Sequence, residues 1–162
     1  MKILKTKKIF TYLVVGALVM ALSISCKSNE EPSSGPKAGT NLPARKYTSK
    51  TDRVDGTTGE YANATVTHNG NGCTITGKLQ GFKLPTGSET QTTYKAIDFS
   101  ITVNSWYEGD GYTYAGDDSV LTSPSGRISS IRWGYSDDGT AYIFLGISYD
   151  DGFSSGGSLY WN

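Results

Sequence analysis

The chain has 162 residues, with fifteen basic and fifteen acidic side chains and 36% hydrophobic residues, which suits about one domain. Twenty glycines and eleven tyrosines against two methionines exclude a typical helical bundle, because glycine destabilises a helix by roughly 1 kcal/mol whereas tyrosine suits a pleated sheet. Four of the basic residues are lysines within the first eight positions, so that eleven basic side chains face fifteen acidic ones in the rest of the chain. No concentrated basic face remains there, and we expect no binding to nucleic acid.

The first 25 residues have the three-part order of an export signal. A basic start is followed by an apolar run over residues 9–22 and then by small residues that end at Cys26. The run of about fourteen residues is shorter than the roughly 20 that a membrane-spanning helix needs. We therefore expect residues 1–25 to be a signal peptide that is removed.

The segment Leu22-Ser23-Ile24-Ser25-Cys26 resembles the lipobox of bacterial lipoproteins. The resemblance implies that Cys26 carries palmitate-type acyl chains, becomes the new N-terminus and holds the protein on a membrane, since each buried CH₂ contributes about 0.8 kcal/mol. Residues 27–31 are similar to short acidic export signals of Gram-negative surface lipoproteins. This implies a lipid-anchored protein of the outer membrane. The resemblance leaves two locations open, the periplasmic side and the cell surface.

Residues 27–58 are rich in Ser, Pro, Gly, Lys and Thr and show almost no apolar periodicity. Such a stretch cannot bury enough surface to offset its conformational entropy. We therefore expect residues 26–58 to be the lipidated cysteine and a disordered tether with a mean reach of about 30 Å. The folded domain is then expected over 59–162.

From residue 59 the pattern changes to the alternation of apolar and polar side chains that is typical of half-buried strands. The predicted strands, in chain order, are 61–67, 73–79, 97–103, 131–135, 141–149 and 157–161, with short additional strands at 112–115 and 119–121 as options. An Asn-Gly turn near residue 70 and Asp-Gly turns at 138–139 and 151–152 connect neighbouring strands. We expect an all-β fold of six to eight strands, an antiparallel β-sandwich with a small β-barrel as the alternative.

The inward positions of these strands predict a hydrophobic core without a disulfide. Cys73 is the only cysteine apart from Cys26, so that we expect it to be a small core residue. At about 1.5–3 kcal/mol for each large buried side chain, the predicted core is sufficient for a small domain. Its members are Val66, Ile75, Leu79, Ile97, Phe99, Ile101, Val103, Ile131, Trp133, Ile143, Leu145, Ile147 and Leu159.

Catalytic residues are poorly represented, and we expect a protein that is not an enzyme. His68 is the only histidine, which leaves a zinc site or a Cys/His nucleophile pair without enough ligands or partners. A carboxylate-based glycoside hydrolase needs two acids roughly 5–10 Å apart. Nothing in the spacing pairs Glu60, Glu89 and Glu108, so this is the least favoured function.

Residues 104–118 interleave aromatic side chains with acids and glycines. Such a segment suits sugar rings, whose C–H faces stack on aromatic rings, and it also suits protein interfaces, where Tyr and Trp are frequent anchors. We expect a non-catalytic binding or envelope-assembly module with a protein partner favoured, a glycan as the alternative ligand, and a merely structural role for these rings also open. The candidate ligand-binding residues are Trp106, Tyr107, Asp110, Tyr112, Tyr114, Trp133 and Tyr135.

Three acids in the same segment, Asp110, Asp117 and Asp118, form a weak candidate calcium site. Calcium takes six to eight oxygen ligands from neighbouring groups. Turn formation is a sufficient reason for aspartate at these positions. No other cofactor is expected.

Overall fold

The computed structural model describes residues 37–57 and 59–161. The predicted signal peptide and the lipobox with Cys26 lie outside the described residues, as do residues 27–36, Thr58 and Asn162. Within the described ranges, no helix is long and apolar enough to cross a membrane. The account below concerns the unit that begins at Pro36.

The described chain folds into ten antiparallel strands, which confirms the all-β prediction. The strands are β1 (Lys46–Arg53), β2 (Tyr61–Asn69), β3 (Gly72–Lys83), β4 (Thr93–Val103), β5 (Trp106–Gly109), β6 (Tyr112–Ala115), β7 (Val120–Ser123), β8 (Gly126–Tyr135), β9 (Ala141–Tyr149) and β10 (Ser154–Trp161). The six predicted strands and both optional ones are present. Strands β1 and β5 have no counterpart in the prediction.

The strands belong to one continuous sheet in the order β5-β6-β8-β9-β10-β1-β2-β3-β4-β7. An additional pairing of β10 with β3, at Ser154↔Phe82, closes strands β10, β1, β2 and β3 into a small barrel core. This architecture corresponds to the barrel alternative of the prediction.

The prediction of a disordered tether as far as Thr58 is wrong for the segment that forms β1. This strand lies between β10 and β2, with Tyr47 opposite Trp161 on one side and Ala64 on the other. Tyr47 and Leu42 are fully buried. The alternation is difficult to recognise in the sequence because the next inward position, Ser49, is polar and small.

Basic side chains of the β1 region contribute to its attachment through contacts with aromatic rings of neighbouring strands. Cations within about 6 Å of an aromatic ring face are attracted by the ring quadrupole. The pairs are Arg45 over Trp161 at 3.4 Å, Lys50 over Tyr160 at 4.2 Å and Arg53 over Tyr61 at 3.7 Å from the ring centre. These three positive charges, which belong to the segment predicted to be a tether, therefore lie on the sheet.

The core consists of the inward side chains of the curled sheet. All thirteen predicted core residues are buried, and Cys73 is a fully buried free cysteine, as predicted. Burial alternates strictly along β9, from Ala141 to Tyr149. Every second side chain of such a strand therefore lies on the outer face of the sheet, where the candidate site lies.

Both Asp-Gly turns connect neighbouring strands as predicted. Gly139 and Gly152 have φ angles of 78° and 85°, a left-handed conformation that favours glycine. In the β8–β9 turn the Asp138 carboxylate accepts hydrogen bonds from Ser136 Oγ at 2.6 Å and from the Thr140 amide at 2.9 Å. These hydrogen bonds lower the pKa of Asp138 to about 2.

Candidate functional site

Two of the predicted ligand-binding residues, Trp106 and Trp133, are core residues. Each is only 5% exposed. The Trp106 indole Nε1 donates a hydrogen bond to Asn41 Oδ1 at 3.0 Å, and Trp133 Nε1 donates to the Thr40 carbonyl at 3.3 Å. Both predicted ligand-binding tryptophans therefore lie in the core, where Trp133 was also predicted, because both rings face inward and have their polar atoms paired.

Tyr135 and Asp110 are exposed but lie elsewhere on the surface. Tyr135 is the last residue of β8 and is 61% exposed, with its ring edge-on to Trp133 at 5.7 Å. Asp110 is in the β5–β6 turn, with a φ of 47°.

Five tyrosines form a continuous group on the outer side of the sheet, called here the tyrosine face. It comprises Tyr107 on β5, Tyr112 and Tyr114 on β6, Tyr142 on β9 and Tyr160 on β10. Ring centres are 5.4 Å apart for Tyr107–Tyr114, 6.2 Å for Tyr112–Tyr114, 6.5 Å for Tyr112–Tyr142 and 5.7 Å for Tyr142–Tyr160. All five side chains are half-buried, so that the group is packed on the sheet and still reaches solvent.

The tyrosine face crosses strand β8 because that strand carries a glycine at the crossing point. A Cβ atom at Gly134 would lie 3.2 Å from the Tyr112 ring, which is closer than ordinary van der Waals contact. Burial, with a smaller contribution from the neighbouring Tyr112 hydroxyl, raises the pKa of Tyr142 to about 12. The tyrosines Tyr142 and Tyr160 were missed by sequence reasoning, since only the order of the strands brings them next to Tyr112.

Arg132 lies within this face, between two aromatic rings. Its guanidinium carbon is 4.8 Å from the Tyr112 ring centre and 5.0 Å from that of Phe144. No carboxylate in residues 37–57 or 59–161 forms an ion pair with Arg132, and its Nε is buried without a hydrogen-bond partner there. An arginine in this state retains the capacity to bind an acceptor from outside the chain.

A cleft of about 260 Å³ opens beside the stacked pair Tyr107 and Tyr114. Strand β6 pairs with β8 only at Thr113↔Trp133 and Tyr114↔Arg132. Beyond this point the chain diverges from β8, and the cleft lies between residues 116–119 and residues 128–131. The lining residues are Tyr107, Tyr114, Ala115, Gly116, Asp117, Ser119, Ile128, Ser129, Ser130 and Ile131.

One wall of the cleft is held in place by a hydrogen-bonded loop. Asp118 accepts a hydrogen bond from Ser105 Oγ at 2.9 Å through its carboxylate and one from Asn104 Nδ2 at 2.8 Å through its carbonyl. Asp117 lines the cleft instead. The Ser119 hydroxyl is buried and has no partner within the described chain.

The three acids of the candidate calcium site are not brought together. Asp110 is in the turn before β6, whereas Asp117 and Asp118 follow its other end. A four-residue strand such as β6 separates its first and last residues by about 10 Å at the usual rise per residue. In the described ranges no group of three or more His, Cys, Asp or Glu residues is arranged to hold a metal ion.

The residues considered for catalysis each have a local partner. His68 Nε2 is 2.7 Å from the Leu42 carbonyl oxygen. Glu60 pairs with Lys78 at 3.7 Å, Glu108 pairs with Lys37 at 2.7 Å, and Glu89 accepts a hydrogen bond from the Thr86 amide at 3.2 Å. These contacts place the three glutamates in separate local structures.

Of the predicted ligand-binding residues, the structure therefore brings Tyr107, Tyr112 and Tyr114 together. Asp117, predicted as a metal ligand, lines the adjacent cleft. Arg132 and Ser119 were not predicted, because their lack of a partner becomes visible only in three dimensions. Comparisons with protein-family models, curated proteins and solved structures give no match to this chain.

Proposed function

We propose that this protein is a lipid-anchored, non-catalytic binding module of the bacterial outer membrane, and that its ligand is a glycan. The observation that carries the proposal is the polar cleft beside the Tyr107–Tyr114 pair. Buried polar groups in proteins almost always have hydrogen-bond partners. Two that lack one in the described chain, Ser119 Oγ and Arg132 Nε, both adjoin this tyrosine pair.

The composition of the cleft supports a sugar ligand. Aromatic rings present a negative face to the C–H groups of a sugar ring, and Tyr107 and Tyr114 supply such rings. Asp117, Ser119 and Ser130 are positioned in the lining to exchange hydrogen bonds with hydroxyl groups. At about 260 Å³ the cleft is smaller than the usual pockets for drug-sized ligands, which suits a single sugar unit of a longer chain.

Affinity electrophoresis of the full-length protein in detergent, in gels with and without polysaccharide, tests the glycan proposal. The panel contains neutral and acidic polysaccharides. We expect at least one polysaccharide to retard the wild-type protein and Tyr114→Ala to abolish the retardation. Tyr94→Ala is the matched control, since Tyr94 is an exposed tyrosine on β4. A protein that migrates unchanged in every gel would contradict the proposal.

The proposed anchor rests on the lipobox resemblance of Cys26. Incorporation of radiolabelled palmitate in a Gram-negative host tests it directly. We expect label in the wild-type protein and in Cys73→Ala, and none in Cys26→Ser. Equal labelling of the wild-type protein and Cys26→Ser, or no label in either, would exclude this anchor.

A protein partner in an envelope complex is the second candidate function. It is favoured by the extent of the tyrosine face, which continues from Tyr112 to Tyr142 and Tyr160, beyond the reach of one sugar unit. Tyrosine and arginine are enriched among the residues that dominate binding energy at protein interfaces. Co-purification after mild solubilisation that is lost in Tyr142→Ala but retained in Ser119→Ala would favour this function; recovery as a lone monomer would count against it.

A further inference from the structure

We infer that the glycan is acidic and that Arg132 binds a sugar carboxylate at the edge of the cleft. The inference rests on the proposed glycan-binding function and specifies its ligand class. It depends on three observations: the state of Arg132, its position next to the cleft, and the presence of Asp117 in the same lining.

The state of Arg132 differs from that of other basic residues in the described chain. Lys37, Lys78 and Lys95 form ion pairs with acids. Arg45 lies over an aromatic ring, as Arg132 does, but it has no buried nitrogen without a partner. Arg132 alone among them combines a position between two rings with an unpaired, buried Nε.

The two rings determine which approach to the guanidinium stays open. Tyr112 and Phe144 lie 4.8 and 5.0 Å from the guanidinium carbon, which restricts the side chain and leaves the terminal nitrogens for an incoming acceptor. A planar guanidinium binds a carboxylate through two parallel hydrogen bonds. The preformed orientation reduces the side-chain entropy that binding would otherwise remove.

Arg132 is close enough to the cleft for one ligand to reach both. It is directly opposite Tyr114 in the β6–β8 register, and Ser130 and Ile131 of the same strand line the cleft. A sugar unit against the tyrosine pair can therefore direct a carboxylate toward Arg132.

Asp117 favours an acidic sugar over a ligand whose polar side groups are carboxylates only, such as an acidic peptide. Asp117 lines the cleft, and its negative charge repels ligands that present only negative groups. An acidic sugar has hydroxyl groups that can donate to Asp117 and a carboxylate that Arg132 can bind. The negative charge of Asp117 and the positive charge of Arg132 thus match a ligand that carries both hydroxyl groups and a carboxylate.

The experiment measures the affinity of the full-length protein in detergent for three polymers, polygalacturonate, alginate and hyaluronate, and for the carboxyl-reduced form of each. We expect at least one acidic polymer to bind about tenfold more tightly than its reduced form, as one charge-assisted contact provides. Arg132→Gln should remove this preference. Arg127→Gln, which changes an exposed arginine on the same strand, should retain it.

Two further variants keep the result interpretable. Arg132→Lys preserves the charge but not the bidentate geometry, and we expect it to lose most of the preference. Thermal unfolding of each variant, followed by circular dichroism, checks that the barrel is intact. If Arg132→Gln does not fold, the Arg132→Lys result decides.

The outcomes separate this inference from the proposed function. Equal binding of an acidic polymer and its reduced form, abolished by Tyr114→Ala, would overturn the inference and support the glycan-binding function. Absence of binding to all polysaccharides would overturn both. Binding of poly-L-glutamate through Arg132, without binding of any acidic polysaccharide, would assign the site to acidic peptides and overturn the inference.

Discussion

Trp106 and Asn41 are joined by a hydrogen bond of 3.0 Å between the indole Nε1 and the side-chain amide oxygen, although 65 positions separate them in the chain. The Asn41 amide also donates to the Gly72 carbonyl at 2.8 Å. One side chain thus connects the segment before β1 to both β5 and β3. The amide of Gly39 adds a backbone hydrogen bond to the Trp106 carbonyl at 2.8 Å. The folded body therefore includes residues that have the composition of a linker.

The first prediction concerns the N-terminal limit of the folded body. A chain of residues 59–162 should not fold, because it lacks β1 between β10 and β2 and leaves both of these strands with an open edge. A chain of residues 37–162 should fold. Cooperative thermal unfolding, followed by circular dichroism and tryptophan fluorescence, distinguishes the two. Cooperative unfolding of the shorter chain would contradict the arrangement described here.

The second prediction concerns Gly77, at a close approach of β3 to β2. A Cβ atom there would lie 2.1 Å from the Asn63 carbonyl oxygen, so that the backbone would have to move. Gly77→Ala should destabilise the protein by about 1–3 kcal/mol, the usual effect of overpacking. Gly59→Ala is the control, because nothing lies within 4 Å of its Cβ position. Urea unfolding should show this difference; equal midpoints would refute it.

The third prediction concerns the Cys73 thiol. The side chain is fully buried, and burial raises its pKa from 9.0 to about 12. Ellman's reagent at pH 8 should leave this thiol unmodified in the native Cys26→Ser protein and modify it fully in 6 M urea. Rapid modification of the native protein would show that the barrel opens at Cys73.

The raised pKa also has a consequence for stability at alkaline pH. Below pH 9 the thiol is protonated in both the folded and the unfolded chain, and its contribution to stability is complete. Between about pH 9 and pH 12 only the unfolded chain loses the proton, so that the free energy of unfolding should fall. Cys73→Ala should reduce this slope, with part remaining because burial also raises the pKa of Tyr47 to about 12. An unchanged slope would be contrary to this expectation.

The fourth prediction concerns Asp138 in the β8–β9 turn. Hydrogen bonds from Ser136 and the Thr140 amide lower its pKa from 3.8 to about 2, so that its contribution to stability is present above pH 3.8 and is lost as the pH falls through 2. NMR titration of the carboxyl carbon should show the low midpoint. Ser136→Ala should raise it, whereas Ser88→Ala, in an exposed loop, should not. A midpoint near 3.8 in the wild-type protein would contradict the hydrogen-bonded turn.

Much of the fold could be predicted from the sequence because the alternation of apolar and polar residues along a strand indicates which side chains are buried. Ile97, Phe99 and Ile101 alternate with polar residues, and all three are buried. Strand β1 could not be recognised, since its inward residues are Tyr47 and Ser49 and its charged side chains are typical of a linker. Trp106 was expected in a loop because β5 has only four residues, too few to show a period.

The candidate site was predictable only in part. The aromatic segment identified Tyr107, Tyr112 and Tyr114, since tyrosines close in sequence on a hairpin are also close in space. The position of Arg132 between two rings depends on Phe144 and Tyr112, which belong to different strands. Its capacity to bind a ligand depends on the absence of an ion pair with a carboxylate of the described chain. Neither condition has a signature in the order of the residues.

The pairing of Tyr47 with Trp161 has a consequence for when the protein acquires its shape during biosynthesis. Strand β1 is made early and needs β10 as its neighbour, so the barrel cannot close until residues 154–161 have emerged from the ribosome. Until then the barrel of the nascent polypeptide stays open. Passage through a narrow channel before β10 is complete is therefore compatible with this topology.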